Sequence, residues 1–380
     1  MRMSDAAVPD VIFLATTPWD GAPLTERHLA AGLAPSRRVL YVEPPVGPGA
    51  TGWRAAGRAR RVHAGVDVLT PRALPCPDRS AGWPWSRHTV ARQIRRARDR
   101  AGMRSPLLVD FALRFDVAGL VGERATVAYL KDGCATAAAR MGVPAARLRS
   151  SADRALARAA LVVTPSRELA AEAVGRTGGE ILELPPGCDA LRPPGAPDPA
   201  ILAVPGPRIG LVGALDARID WDLVGGVAGL RPDWSFVLVG PRPQRSDAAA
   251  ERALAHANVH ELGRRAAHDV PSVLSALDAA IVPFRVDDAA AVRSTPLRTL
   301  EFLAAGLPVV ATPIPAHRRL APSVRLAGDV ATTALALTDE LARDDRDRRA
   351  ARRRFAAAND WSHRCEVLDV ALRDVWTGAG

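Results

Sequence analysis

The sequence lacks the features of membrane-spanning, secreted and disulfide-stabilised proteins. Its apolar runs are short, such as Val11–Ala15, and none approaches the roughly 20 residues that span a bilayer. The N-terminus has no long apolar region followed by a small-residue cleavage site, so we expect no signal peptide. The four cysteines are far apart and form no C-x-x-C pair, which favours buried free thiols over a disulfide framework or a zinc site. We therefore expect a cytoplasmic protein.

Lysine and several well-known catalytic patterns are also scarce. Lys131 is the only lysine among 51 lysine and arginine residues, so arginine is expected where other proteins carry lysine. The histidines form no H-E-x-x-H or comparable pattern, and we expect neither a metal ion nor another cofactor. The sequence contains no Walker A motif and no G-x-S-x-G elbow. No G-x-G-x-x-G follows either opening strand, which argues against a Rossmann dehydrogenase.

Positive charge, by contrast, is concentrated in one segment. The chain has a formal net charge of +10, and residues 51–104 hold 13 arginines against three acidic residues. Trp53, Trp83 and Trp85 lie in the same segment. Because arginine with interfacial tryptophan suits an anionic membrane surface, we expect peripheral contact with the inner face of the plasma membrane through residues 51–104. An ordinary solvated basic face is the alternative, and no nucleic-acid partner is expected.

The pattern of apolar runs predicts two α/β domains, which suits a chain of 380 residues. Val11–Ala15, a helix around Leu24–Leu33 and Arg38–Val42 form a β-loop-α-β opening typical of a parallel sheet. Eight prolines in residues 184–207 predict a linker, and Arg208–Val212 opens a second α/β series. We predict an N-terminal domain over residues 1–190, a proline-rich linker over 191–207, a second domain over 208–360, and a C-terminal helix over 361–380 that packs back towards the first domain.

The most specific motif, STPLRTLEFLAAGLPVVAT, begins at Ser294. Ser294 or Thr295 is a suitable N-cap, and Pro296 fits the first helical turn. Free backbone N–H groups at that end form an anion site with the helix dipole, and Arg298 adds a positive charge. One turn further on, the carboxylate of Glu301 can accept two hydroxyl hydrogen bonds, as a ribose would offer. An ordinary capped helix with a surface glutamate has the same pattern.

This motif resembles the signature of glycosyltransferase family 4, whose members have the GT-B fold. The resemblance continues upstream in IGLVGALDARIDWDL from Ile209, RPDWSFVLVGP from Arg231, NVHELGR from Asn258 and AAIVPFR from Ala279. It implies an α/β protein of two Rossmann-like, doubly wound parallel-sheet domains that face a central cleft. It further implies that the helix N-terminus holds a donor diphosphate and that Glu301 holds the ribose.

Two positions depart from the usual family pattern. Ala214 follows Gly213 where relatives carry an arginine, so Arg218 is the substitute candidate. Arg293 stands where most members have a glutamate that touches the transferred sugar, so their sugar specificity cannot be carried over. The core PLRTLE from Pro296 instead resembles a branch of teichuronic acid-type transferases, with arginine in place of lysine.

The resemblance assigns donor and catalytic roles to residues from both halves. The donor-binding candidates are Gly21, Arg218, Gly240, Arg264, Ser294, Thr295, Pro296, Leu297, Arg298 and Glu301. The catalytic candidates are Asp20, Lys131 and Asp132. Asp20 and Gly21 follow the first strand, where a tight turn is the alternative interpretation. Asp132 is expected to position an acceptor hydroxyl and Lys131 to stabilise a developing negative charge, although a loop ion pair would also explain them. Asp110 is a further candidate.

These features predict a retaining glycosyltransferase. It would move a hexose-like sugar from a nucleoside-diphosphate sugar to a hydroxyl of a glycan, a lipid-linked or a small-molecule acceptor. Cell-envelope polysaccharide, glycolipid and secondary-metabolite biosynthesis are the expected settings. Two alternatives remain open. A nucleotide-sugar 2-epimerase of the same fold would act on a donor without an acceptor, and a degenerate binding-only homologue would bind the donor without consuming it.

Overall fold

The structure, a computed structural model, describes residues 8–21, 24–73, 83–133, 137–138, 144–190, 195–242, 248–292 and 297–378. The predicted cap and first-turn residues Ser294, Thr295 and Pro296 lie outside the described residues. The chain divides into two compact units. Unit 1 comprises residues 1–185 and 361–380, and unit 2 comprises residues 186–360.

The described strands of unit 1 form an eight-stranded sheet in the order β3-β4-β2-β1-β5-β6-β7-β8. The strands are β1 (Val11–Leu14), β2 (Val39–Val42), β3 (Ala59–His63), β4 (Val66–Leu69), β5 (Leu107–Asp110), β6 (Ala125–Tyr129), β7 (Leu161–Thr164) and β8 (Glu180–Glu183). Only the β3–β4 pair is antiparallel among them. The central strands are continuous apolar runs buried on both faces, as a helix-covered parallel sheet requires.

The described strands of unit 2 form a six-stranded parallel sheet in the order β11-β10-β9-β12-β13-β14. They are β9 (Arg208–Val212), β10 (Ser235–Val239), β11 (Val259–Gly263), β12 (Ala279–Val282), β13 (Val309–Ala311) and β14 (Arg325–Leu326). The described stretch 195–207, expected to be a linker, belongs to this unit, because Ile201 and Val204 pack into its core.

Helices connect the strands of both sheets. In chain order they are α1 (Thr25–Leu33), α2 (Trp83–Arg100), α3 (Ala145–Arg158), α4 (Arg167–Ala173), α5 (Pro199–Leu202), α6 (Trp221–Leu230), α7 (Ala248–Leu254), α8 (Val270–Ser275), α9 (Ala289–Val292), α10 (Leu297–Ala305), α11 (Pro315–Arg319), α12 (Val330–Ala342), α13 (Arg346–Ala357) and α14 (Trp361–Gly378). No described helix combines the length and the apolar character needed to cross a membrane.

The last helix, α14, lies against α1 within unit 1. Its buried residues Trp361, Cys365, Leu368 and Leu372 recur with helical spacing and form one face. The ring of Trp361 stacks on His28 with a centroid distance of 4.6 Å. Gly32 on α1 permits this close approach, since a Cβ atom there would lie 2.3 Å from the sulfur of Cys365.

Both sheets are doubly wound, and each has a point where the strand order reverses. In unit 1 the reversal falls between β1 and β5, and in unit 2 it falls between β9 and β12. Ligands of open α/β sheets bind beyond the carboxyl ends of the strands at such points. The loops after β1, β5, β9 and β12 are therefore where functional side chains are expected.

Candidate functional site

Glycines line the carboxyl edge of the unit 2 sheet. Gly213, Gly240 and Gly263 follow or end β9, β10 and β11, and all three have positive φ angles. The amide of Gly213 donates to the carbonyl of Val239 at 2.9 Å, and the amide of Gly240 donates to Gly263 at 3.0 Å. A Cβ atom on Gly213 or Gly263 would meet no other atom within 4 Å. The edge is thus ordered by backbone bonds but leaves open space beside the strand ends.

Arg298 and Glu301 lie together on helix α10. Thr299 and Leu300 of the same helix are buried in the core, so the two charged residues occupy its other, half-exposed face. A guanidinium nitrogen of Arg298 donates to Glu301 Oε2, which is an i,i+3 ion pair. A carboxylate can accept several hydrogen bonds at its two oxygens. The sequence predicted both residues, and the structure places them in contact.

Arg218 lies in the loop after β9, close to the loop after β12. Its side chain donates to both oxygens of Asp216, at 2.9 Å and 2.8 Å, and its guanidinium packs over the ring of Phe284. The carbonyl of Arg218 accepts from the amide of Arg285 at 2.8 Å, which fastens the two loops to each other. The predicted substitute cation therefore lies at the switch point of the sheet. Its partner Asp216 was not anticipated, although the D-x-R spacing was visible in the sequence.

The buried residue His317 contacts helix α10 and the loop after β13. Its Nδ1 lies 2.7 Å from the carbonyl oxygen of Thr312, so Nδ1 carries the proton and donates, while Nε2 faces the Thr299 hydroxyl at 3.5 Å. Burial lowers the pKa of His317 to about 4, and the bond to Thr312 opposes this only in part. The ring is therefore neutral at neutral pH. It joins the loop after β13 to the helix that carries Arg298 and Glu301, a role that sequence reasoning missed.

The remaining described donor candidates differ in their surroundings. Arg264 is exposed and makes no ion pair with the described residues, whereas its neighbour Arg265 pairs with Asp198 at 3.3 Å. Leu297 is half-buried at the first described position of α10. Arg264 thus keeps its charge available at the end of β11, while Arg265 is structural.

In unit 1 a buried carboxylate organises the loop after β1. Glu26 on α1 is fully buried and accepts from the Thr16 hydroxyl at 2.6 Å and from Lys131 Nζ at 3.1 Å. The same ammonium donates to Thr16 at 2.7 Å. Burial alone would raise the pKa of Glu26, but the Lys131 ammonium and the Thr16 hydroxyl hold it below its usual range. Lys131 is thus held in place by Glu26, which sequence reasoning missed.

Asp132 follows Lys131 at the mouth of a small pocket. The pocket lies beyond the ends of β1, β5 and β6 and is lined mainly by apolar groups, with Thr16, Lys131 and Asp132 as its polar members. Asp132 is half-buried there. The volume of the pocket is about 20 Å³, which is room for a single hydroxyl group or water molecule and not for a whole sugar.

Asp20 and Gly21 form part of a tight turn. The amide of Gly21 donates to the Pro18 carbonyl at 3.1 Å, and the preceding amide of Trp19 donates to the buried Glu43 at 2.8 Å. The Asp20 side chain is exposed and pairs with Arg60 at 2.5 Å. Residues 18–21 therefore form the tight turn that the sequence allowed, and the catalytic role of Asp20 stays a prediction.

Residues 206–341 match the family model described as Glycosyl transferases group 1. The matched segment contains the glycine-lined strand ends, Arg218, Arg298 and Glu301. The family resemblance drawn from the sequence is therefore confirmed, and its residues lie in unit 2.

A curated relative resembles part of the chain in sequence, and two solved structures resemble the chain in fold. The relative is the Bacillus subtilis (strain 168) protein named as the teichuronic acid biosynthesis glycosyltransferase TuaH, 32% identical over 126 residues, which cover 33% of this chain and 32% of the relative. The match thus spans about a third of that relative's length.

The structure "Trehalose-6-phosphate from E. coli bound with UDP-2-fluoro glucose" has a TM-score of 0.68 at 11% identity, covering 96% of this chain and 99% of that chain. Anabaena HepE in complex with UDP and glucose has a TM-score of 0.63 at 18% identity, with the same coverage. The predicted fold class, two parallel-sheet α/β domains of the GT-B type, is confirmed.

Gly240 of the group 1 segment serves a close backbone approach. Its φ is 156°, and a Cβ atom would lie 1.6 Å from the carbonyl oxygen of Gly213. We expect Gly240→Ala to lower the free energy of unfolding by about 2–4 kcal/mol, because the two strand ends must separate. Gly213→Ala is the matched control, since its Cβ meets open space. Chemical denaturation of both variants tests this, and equal losses would contradict the close-approach role.

Asp110 gives a second prediction, for stability against pH. It is buried at the end of β5, and its Oδ1 accepts from the amides of Ala112 and Leu113 at 2.9 and 2.8 Å. Burial raises the pKa to about 6 from 3.8, which those two amides only partly oppose. The folded state therefore binds a proton more readily than the unfolded state, so this group's contribution to stability falls as the pH rises from 3.8 to about 6.

Asp110→Asn keeps the Oδ1 acceptor and removes the titration. We expect the variant to be more stable than the wild type at neutral pH, by on the order of 1–3 kcal/mol. The difference should shrink as the pH approaches the ordinary pKa of an aspartate. Urea denaturation over that pH range measures it. A variant that is less stable than the wild type at neutral pH would contradict the argument.

Proposed function

We propose that the chain is a glycosyltransferase that binds a nucleoside-diphosphate sugar at the carboxyl edge of the unit 2 sheet. The observation that carries the proposal is the contact between Arg298 and Glu301 on α10, the helix between β12 and β13 of the same sheet, inside the group 1 segment. Arg298 offers charge-assisted hydrogen bonds to a diphosphate. Glu301 offers a carboxylate to the ribose hydroxyls. The predicted members Ser294 and Thr295 would add backbone N–H groups to the same diphosphate, and Pro296, which has no N–H group, would begin the helix.

The proposed reaction transfers a hexose-like sugar with retention of its anomeric configuration. The bond between C1 and the donor phosphate oxygen breaks, the acceptor oxygen bonds to C1, and the acceptor proton passes to the leaving diphosphate. Arg298, Arg218 and Arg264 would stabilise the charge that grows on that diphosphate, so the proposal requires no metal. The support for a hexose comes from the E. coli and Anabaena structures, which hold UDP-2-fluoro glucose and UDP with glucose. Retention follows from the family resemblance.

The acceptor is assigned to unit 1. Asp132 and Lys131 lie at the polar mouth of the pocket beyond β1, β5 and β6, where a hydroxyl could be held. The acceptor class follows the name of the Bacillus relative, which favours cell-envelope polysaccharide over glycolipid or secondary metabolite. A cytoplasmic location, with residues 51–104 against the anionic inner face of the plasma membrane, belongs to the same proposal.

A donor screen tests the proposal. Thermal shift with a panel of nucleotide sugars selects the donor, and chromatography then follows nucleoside diphosphate release with and without candidate acceptors. We expect release to depend on an acceptor. An epimerised donor without any acceptor would favour the 2-epimerase, and a bound donor that is never consumed would favour the binding-only homologue. Binding of no nucleotide sugar would overturn the donor site itself.

A further inference from the structure

An open groove in unit 1, with a volume of about 620 Å³, is lined by five arginines. They come from the segment before β3, from the end of β4 and from α2: Arg54, Arg58, Arg72, Arg92 and Arg96. Its other lining residues are uncharged, among them Gly57, Thr89 and Gln93. The described wall of the groove therefore carries only positive charge.

Most of these arginines have no counter-charge. The guanidinium groups of Arg54, Arg58, Arg92 and Arg96 make no hydrogen bond or ion pair with residues of the described chain. Other arginines on the same helix behave differently: Arg87 pairs with Asp116 at 3.1 Å, and Arg95 donates to the Leu120 carbonyl at 2.7 Å. Convergence of unpaired like charges is unfavourable unless an anion compensates them.

The floor of the groove is held in place. Gln93 accepts from the amide of Arg72 at 2.9 Å and donates to its carbonyl at 2.8 Å. The Arg72 side chain donates to the Trp53 carbonyl at 3.1 Å and packs over the Trp53 ring. The amide of Gly57 donates to the Thr70 carbonyl at 2.8 Å. The arginine-bearing segments are thus fixed to one another before any ligand arrives.

The groove lies on the same edge of the sheet as the acceptor pocket. Thr70 follows β4, and its hydroxyl donates to Glu43, which in turn accepts from the amide of Trp19 in the loop after β1. Since β4 is separated from β1 by β2 alone, the two strand ends are roughly 10 Å apart. The groove and the loop after β1 are therefore close to each other on this edge.

We propose that this arginine groove binds a phosphate-bearing ligand with two or more negative charges. Guanidinium groups bind phosphate oxygens through paired, charge-assisted hydrogen bonds, and the four without partners in the described chain suit a diphosphate better than a single carboxylate. The ligand comes either from a soluble phosphorylated acceptor or from a phospholipid headgroup. The identification of this ligand with the acceptor rests on the proposed function, whereas the binding of a phosphate group by the groove does not.

Calorimetry with sodium pyrophosphate tests the groove. The full chain is used in an Arg298→Gln background, which weakens the candidate donor site for the same anion. The groove variant is Arg92→Gln/Arg96→Gln, and the charge-matched control is Arg100→Gln/Arg104→Gln. All four side chains are exposed, and at the three positions on α2 glutamine keeps the helix propensity of arginine. We expect the dissociation constant to rise about tenfold or more in the groove variant and less than about threefold in the control.

Vesicles of phosphatidylglycerol with phosphatidylcholine, sedimented with the same variants, distinguish the two sources. Pyrophosphate binding that depends on the groove, with equal vesicle binding by both variants, supports a soluble ligand. Vesicle binding that depends on the groove supports a headgroup. Equal effects of the groove and control variants on both probes would overturn the proposal, because bulk charge would then suffice. Absence of donor turnover would refute the proposed function and leave the pyrophosphate result unchanged.

Discussion

Glu301→Gln is expected to weaken the binding of a nucleoside diphosphate by about tenfold to a hundredfold. The reason is that hydrogen bonds to a charged group contribute about 1.5–3 kcal/mol, and glutamine offers the ribose hydroxyls a neutral acceptor. Calorimetry with UDP is the first measurement, since one structure of this fold holds UDP and another holds UDP-2-fluoro glucose. Glu340→Gln is the matched control, because Glu340 also pairs with arginines, Arg348 and Arg352, but on another helix of unit 2.

Because Arg298 and Glu301 form an ion pair, their roles are separated by comparing a ligand that carries a diphosphate with one that does not. Removing either residue also releases its partner, so a single loss of affinity does not assign a role. We expect Arg298→Gln to weaken UDP but to leave uridine unaffected, because only UDP carries the diphosphate. Glu301→Gln should weaken both ligands, since both carry the ribose. The opposite pattern would exchange the two assignments.

Lys131→Met is expected to cost about 3–5 kcal/mol of folding stability. The substitution leaves the carboxylate of Glu26 buried without its ammonium partner, and an uncompensated buried charge is strongly destabilising. The double variant Glu26→Gln/Lys131→Met removes both charges and should recover part of the loss. Urea denaturation of the wild type and the three variants, including Glu26→Gln alone, measures these differences.

The stability lost in Lys131→Met is expected to depend on pH in a definite direction. In the wild type the pKa of Glu26 is lowered, so its pairing contributes stability above the ordinary glutamate pKa and loses it as the pH falls through the lowered value. Without Lys131 the hydroxyls of Thr16 and Thr17 and the backbone bonds oppose burial less strongly, and the pKa of Glu26 should rise. The loss in Lys131→Met should therefore be largest at neutral pH and smaller in acid. A loss that is equal at both would show that packing, rather than charge, accounts for it.

The sequence was sufficient for the fold and for residues that are close along the chain. Continuous apolar runs such as Val11–Leu14 predicted buried parallel strands, because both faces of each strand are covered. The spacing of Arg298 and Glu301 placed them on one helical face, since residues three apart are neighbours there. In the structure β1 is buried along its whole length, and Arg298 contacts Glu301. Both observations follow from local geometry.

Contacts across long separations could not be predicted in the same way. Glu26 lies 105 residues from Lys131, and no local pattern connects an acidic residue in a first helical turn with a distant loop lysine. The close approach of Gly240 to the carbonyl of Gly213 was equally hidden, because only the strand pairing brings the two together, and the donor role of Gly240 stays a prediction. His317 was not assigned a role because its partners, Thr312 and Thr299, become apparent only after folding.

Ribose recognition tests the central claim most directly. The measurement is the affinity of the wild type and of Glu301→Gln for UDP and for 2′,3′-dideoxy-UDP, which lacks both ribose hydroxyls. If Glu301 holds the ribose, the wild type should prefer UDP by about tenfold or more, and Glu301→Gln should bind the two ligands nearly alike. Equal binding of both ligands by the wild type, or a preference that survives in Glu301→Gln, would contradict the assignment of the donor to this helix face.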